Sequence, residues 1–232
     1  MIRGVIAPRT LIIAFLVLLV VPATMACADE PSPKLTDEEF AELIKAHDDS
    51  LNKLLGLISG LSDEQWTFKQ NAKRWSVGEC AEHIVRSERA LFQNAVAAMN
   101  NPPDPDWYER TKGKAAFIRK VIPNRNANGV GGAKAPIEIQ PTEKWGRAKA
   151  IEEFYKIHGE VRAYIETMPR EIKNHTVRHP FPIFNWLNAH DWLLYLPLHT
   201  ERHCKQIIEV QADPRYPKKA AAAASAAAAA AK

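Results

Sequence analysis

Two histidines one helical turn apart, His199-x-x-x-His203, are followed by Gln206 near the end of an apolar, helix-forming stretch. At roughly 100° per residue, positions i and i+4 lie about 40° apart on a helix, so both imidazoles can converge on one ion. Far upstream, Trp75-Ser76-x-x-Glu79-x-x-x-His83 carries another histidine. A third imidazole from a different helix completes a facial cap on a divalent metal and leaves positions open for water or substrate. An ion held that way lowers the pKa of a bound water or thiol and makes a nucleophile near neutral pH. Zinc, nickel, iron and manganese all suit the donor set. Without His83, the pair reads equally well as two hydrogen-bonded core histidines.

Several neighbours can support such a site. Glu79 lies one turn before His83 and can orient an imidazole or take a proton, or it serves only the helix start at Ser76. Gln206 shares the histidine face and can hold a water, a substrate or a buried backbone group. His47 and His158 fall on the apolar stripes of their own segments, as a fourth ligand, a supporting partner, a catalytic base or plain core histidines. Arg202 suits an ion pair or an anion. His190 falls on the far face of its helix and is expected at the surface, while His175 and His179 flank a turn.

These residues need elements to position them, and four amphipathic stretches provide candidates. The first is expected over 36–59, opened by a capping box of Thr36 with Glu39, and its stripe runs through Phe40, Leu43, Ile44, His47, Leu51, Leu54, Leu55 and Ile58. The second box, Ser76 with Glu79, opens a helix to about Asn100, which Pro102 and Pro103 stop. A third covers about 143–168, with Phe154, Tyr155, Val161 and Ile165 on one face. The fourth starts between Phe184 and Trp186 and reaches Gln211. On it Trp192, Leu196, His199, His203, Gln206, Ile207 and Val210 share a narrow arc, so both histidines point inward. Pro197 inside this helix deletes the hydrogen bond to the carbonyl of residue 193. Residues 101–142 are rich in Pro, Gly and Asn and form a long connection without clear periodicity. Trp66, Phe68 and Trp75 are expected to close the end of the core.

The N-terminus reads as a secretory signal peptide over residues 1–28. Arg3 and Arg9 precede the apolar run Leu11 to Val21, and Ala26-Cys27-Ala28 fits a small-residue cleavage site. Export to a secreted or periplasmic location is expected, with lipid anchoring at Cys27 as the alternative, and no transmembrane span remains after cleavage. Residues 29–35 form a linker, 36–216 a bundle domain, and 217–232 an alanine-rich tail. Losing Arg3 and Arg9 lowers the formal charge from +4 to +2, and no basic stripe suggests nucleic acid. The partners expected are a small-molecule substrate and, beyond that, a second copy as a homodimer. Cys80 and Cys204 either bridge in an oxidising compartment or stay buried as thiols.

Taken together, Gln65-Trp66-x-Phe68-Lys69, Arg74-Trp75-Ser76-Val77-x-Glu79-Cys80-x-Glu82-His83-Ile84, His179-Pro180-x-x-x-Phe184, Asp191-Trp192-Leu193 and His199-x-x-Arg202-His203-x-x-Gln206-Ile207 resemble the DinB-like superfamily over residues 36–216. The resemblance implies an all-α four-helix bundle connected up-down-down-up. It also implies one divalent metal held by three histidines, which match His83, His199 and His203. Characterised members include thiol S-transferases and maleylpyruvate isomerase, so a thiol transferase or a hydrolase is expected. A non-catalytic metal- or ligand-binding envelope protein is the alternative. Export disfavours the transferase branch, because low-molecular-weight thiols are concentrated inside cells.

Overall fold

Capping chemistry starts the helices where the sequence placed their boxes. The computed structural model describes residues 31–125, 135–142 and 144–218. The expected signal peptide, Cys27 and the tail from residue 219 lie outside the described residues. Helix α1 spans Asp37–Ile58, a short α2 covers Asp63–Thr67, and α3 spans Val77–Asn100. Thr36 and Ser76 each accept the amide of a glutamate three residues on, and Glu39 and Glu79 reach back to the cap amides. Between α2 and α3 the Trp66 indole lies against the backbone of Gly78. A Cβ on Gly78 would stand 2.5 Å from the Trp66 indole, so only glycine lets Trp66 close that end of the core.

Chain direction follows from which residues meet. His47 meets Leu193, Lys53 meets Glu201 and Leu57 meets Gln211, so α1 runs parallel to α7 (Ala189–Gln211). Arg74, His83 and Glu88 meet Glu209, His203 and Thr200, so α3 runs antiparallel to α7. Arg89 meets Glu153 and Phe92 meets Tyr164, so α3 is parallel to α6 (Arg147–Thr167). The order is therefore up-down-down-up. Phe154, Val161, Ile165, Trp192, Leu196 and Ile207 fill the core between the helices. Tyr155, expected on that face, is 53% exposed, because its position lies about 100° from Phe154 around the helix.

Two regions depart from the sequence expectation. Trp186–Asn188 forms strand β2, paired antiparallel with β1 (Thr176–Arg178), so α7 begins three to five residues later than its apolar pattern. Backbone committed to a hairpin cannot also open a helix. Asn188 then caps α7 in a box with Asp191. Within the long connection, α4 (Trp107–Thr111) and α5 (Lys114–Val121) are helical. The side chain of Ile118 from α5 is fully buried, and α5 packs on the outer face of α7. That cover overturns the placement of His190, which is buried, and burial lowers its pKa to about 4.

His47 also has a structural explanation. Pro197 has no amide hydrogen, so the Leu193 carbonyl one turn earlier loses its helical partner. The His47 Nε2–H donates to that carbonyl at 3.1 Å. Burial holds the imidazole neutral, with its pKa down at about 4. His47→Leu preserves bulk but strands the carbonyl, and is expected to cost about 1–3 kcal/mol. Thermal denaturation checks this, and an unchanged melting temperature would contradict it.

Candidate metal centre

Three histidines from two helices converge at one end of the bundle. His83 is in the second turn of α3, while His199 and His203 occupy successive turns of α7 just after Pro197. Their ring centroids lie 4.5 Å, 4.5 Å and 5.2 Å apart. One donor atom from each falls within 4.8 Å of the other two, a spacing that one divalent ion can bridge. The Nε2 atoms of His199 and His203 are 3.2 Å apart. Two imidazole nitrogens at about 2.0–2.1 Å from a tetrahedral zinc stand about 3.3 Å from each other, so the observed pair has that spacing.

Hydrogen bonds settle which nitrogens face inward. His83 donates from Nδ1 to the Ile139 carbonyl at 2.7 Å, leaving Nε2 unprotonated with the Ser87 hydroxyl 3.4 Å from it. His203 Nδ1 lies 2.9 Å from Gln206 Oε1, and the Arg125 guanidinium donates to the same oxygen at 3.1 Å. The guanidinium identifies that atom as the amide oxygen, so His203 Nδ1 carries the proton and its Nε2 is bare. His199 Nδ1 is buried without a hydrogen-bond partner among the described residues, and its Nε2–H is placed to donate to the bare Nε2 of His203 at 3.2 Å, a proton that a cation bound between the two nitrogens would displace.

Electrostatics keep the rings neutral, the form that ligates a metal. Burial is the largest cause lowering the pKa of all three, to about 4 for His83 and well below the ordinary value for His199 and His203. The proximity of the three imidazoles adds to the effect at the two α7 residues.

The site is the floor of a cavity of about 890 Å³. Residues 135–142 cross its rim as a strap containing a 3₁₀ turn at Ile137–Ile139. Buried Glu82 accepts the Thr142 amide and hydroxyl at 2.9 and 2.7 Å, and Arg86 donates to the Glu138 carbonyl at 2.9 Å. These bonds pin the strap that orients His83. Sequence reading gave Glu82 no role beyond its place in the family motif, and it missed Ile139. A buried acid inside a histidine-bearing helix was the available signal for Glu82, but Ile139 contributes a backbone carbonyl and leaves no trace in residue type.

The other candidates divide clearly. Gln206 stands directly behind His203, as its place on the histidine face suggested. Trp75 lies 4.7 Å from the His83 ring and lines the cavity, so it is a site wall as well as core. Phe68 packs edge-on against Tyr216. Glu79 is not at the cavity: one oxygen accepts the Ser76 amide at 2.7 Å and the other pairs with Lys69 at 2.8 Å. Both of its oxygens are thus committed, one to the helix cap and one to Lys69. His47 and His158 are also away from it. His158 lies in the seam of α1 and α6, 3.8 Å from the Asp48 carboxylate. His179 does reach the cavity, stacked 4.8 Å over Trp192, while His175 ties to the Asn101 carbonyl at 2.8 Å. Cys80 and Cys204 are buried free thiols, and burial raises both pKa values, to about 12 for Cys204.

An up-down-down-up helical bundle with a histidine triad at one end defines a class of small helical proteins. This chain belongs to the DinB superfamily, whose family model matches residues 46–207. It is similar to the uncharacterized protein YuaE of Bacillus subtilis (strain 168), with 22% identity over 155 residues, covering 66% of this chain and 88% of YuaE. Among solved structures it is similar to YfiT from Bacillus subtilis, described as a probable metal-dependent hydrolase with an unusual four-helix bundle topology. That match has a TM-score of 0.50 and 14% identity, and covers 78% of this chain and 91% of YfiT. Among the described residues, no helix is long and apolar enough to cross a membrane.

Proposed function

We propose that His83, His199 and His203 hold one divalent transition metal and that the protein is an exported metal-dependent hydrolase. The observation that carries the reading is the convergence of three neutral imidazoles on the floor of an open cavity, with the proton of His83 and that of His203 parked on outer oxygens. Once bound, such an ion supplies Lewis acidity and makes water nucleophilic near neutral pH. Gln206 and the Ile139 carbonyl hold their rings at fixed orientations, which raises the basicity of the inward nitrogens. Buried Tyr195 and half-buried Trp75 wall the floor and limit its access to bulk water.

Hydrolysis is preferred to thiol transfer. The description of YfiT as a probable metal-dependent hydrolase supports it, and so does the signal peptide expected over residues 1–28. Both described cysteines are buried thiols held protonated, so thiol transfer would have to draw on an external low-molecular-weight thiol, which export makes scarce. Tag-free protein reconstituted separately with zinc, nickel, iron and manganese should retain about one equivalent of at least one ion and cleave members of an aryl ester and amide panel. Retention of none would sink the metal reading. Metal without turnover on a broad panel would favour a binding protein of the cell envelope.

Gln206 provides a sharper check. Gln206→Leu removes the acceptor behind His203 while leaving all three ligands in place. Metal affinity is expected to fall by about 10–100-fold, measured by competition with a chromogenic chelator. An unchanged affinity would remove Gln206 from the site.

A further inference from the structure

The cavity is polarised along α7, and its two ends differ in chemistry. At the end nearer the start of α7, His179 stacks on Trp192 at 4.8 Å with planes 6° apart, and Tyr195 and Phe184 continue the aromatic wall. Phe181 and Ile183, 37% and 51% exposed, form an apolar lip above it. At the other end the lining carries Lys73, Arg74, Arg125 and Arg202. Glu209 takes both Arg125, at 2.7 and 2.9 Å, and Arg74, at 2.9 Å, so one carboxylate answers two guanidiniums. Among the described residues, Glu138 is the single acidic residue lining this cavity. Burial and the neighbouring Arg125 lower the pKa of half-buried Arg202, whose guanidinium also donates to the Asn124 carbonyl at 2.6 Å.

Spacing relates the two ends to the histidines. Tyr195 and Arg202 are seven residues apart on one helix, about 10 Å along its axis at 1.5 Å per residue. His199 lies between them, with His203 one residue past Arg202. We infer that the substrate is an elongated amphipathic anion with an aromatic or branched apolar group at one end and a carboxylate or phosphate at the other. The apolar group lies against Tyr195 and Phe184, the anion reaches Arg202, and the reacting bond lies over the histidines. Guanidinium recognition of the anion provides orientation, and aromatic contact provides most of the buried area. The inference rests on the metal-enzyme reading above, because it names the substrate class of that site.

Binding of phenylhexanoate, phenylhexyl phosphate and uncharged phenylhexanol, measured by isothermal titration, tests it without requiring turnover. At least one anion should bind about tenfold or more tightly than the alcohol, and the difference should shrink as salt rises. Arg202→Gln should weaken the anions by about tenfold and leave the alcohol unchanged, whereas Phe181→Ser at the exposed lip should weaken all three. Equal binding of anions and alcohol, no binding of any probe, or indifference to Arg202→Gln would overturn the inference. Repeating the titrations on the His199→Ala, His203→Ala protein separates the two proposals. Anion binding that survives there and still depends on Arg202 supports this inference whatever becomes of the metal reading. Anion binding that vanishes there while ignoring Arg202 shows the anion ligating the metal, which overturns this inference and leaves the metal reading intact.

Discussion

Replacing His199 and His203 together by Ala is expected to reduce bound metal from about one equivalent to none. Structural zinc sites with four ligands gain about 10–16 kcal/mol on binding, or about 3 kcal/mol per ligand, so losing two ligands weakens binding by about ten-thousand-fold. His83 alone, on a different helix, cannot hold the ion. The fold should tolerate the change, since both side chains border an existing cavity and Ala is the strongest helix former. Melting in excess metal should therefore separate the proteins: native chain gains about 2.7 kcal/mol at a metal concentration a hundredfold above Kd, and the double variant gains nothing. Hydrolysis should be lost in parallel. A variant that still carries one equivalent would place the metal elsewhere.

Stability is expected to fall as pH rises from 6.5 to 8, with Glu88 as the main cause. Glu88 is fully buried between α3 and α7; one oxygen accepts the Thr200 hydroxyl at 2.7 Å and the other has no partner among the described residues. Burial pushes its pKa up to about 8, against the opposing Thr200 hydrogen bond. An acid with a raised folded pKa binds a proton in the folded state that the unfolded chain has released. Its contribution is fully present below the unfolded value and is lost as pH climbs through the folded one. Asp191, raised by burial to about 7, acts in the same sense. The buried histidines His47, His179 and His190, lowered to about 4, act in the opposite sense but only below about 6.5. Between pH 6.5 and 8 the Glu88 contribution is thus about 2 kcal/mol. Glu88→Gln, which keeps an acceptor for Thr200, should flatten that slope and stabilise the protein at pH 8. Denaturant titrations of both proteins across the window check this, since metal and histidine contributions common to both cancel in the difference. Parallel slopes would show that Glu88 does not carry the titration.

Much of the bundle was legible because its signals are local. Thr36 with Glu39 and Ser76 with Glu79 marked two helix starts through side chains three residues apart. The phase of His199, His203 and Gln206 along α7 correctly turned them inward. Glu79 shows the limit of that reasoning: helical phase places it near His83, yet its carboxylate is committed to Ser76 and Lys69. His190 shows another, because its helix is covered on the outer face by α5, a segment in which no periodicity was evident. The β1–β2 hairpin was missed for a related reason. Three-residue strands are too short for alternation to register, and the apolar residues of Trp186–Asn188 continue the helical pattern of α7.

By itself, the sequence determined four amphipathic helices, their caps and which histidines could meet, since capping and periodicity act within a few residues of chain. Only the tertiary structure decided that the Leu193 carbonyl freed by Pro197 is taken by His47, 146 residues away. It also decided that His83 is oriented by the Ile139 carbonyl 56 residues on, and His203 by an amide that Arg125 fixes. The same packing separated an aromatic from a cationic end along a single cavity. Tautomer, pKa and cavity shape depend on what stands within a few ångströms in space, and contacts between distant segments leave no periodic mark in the chain.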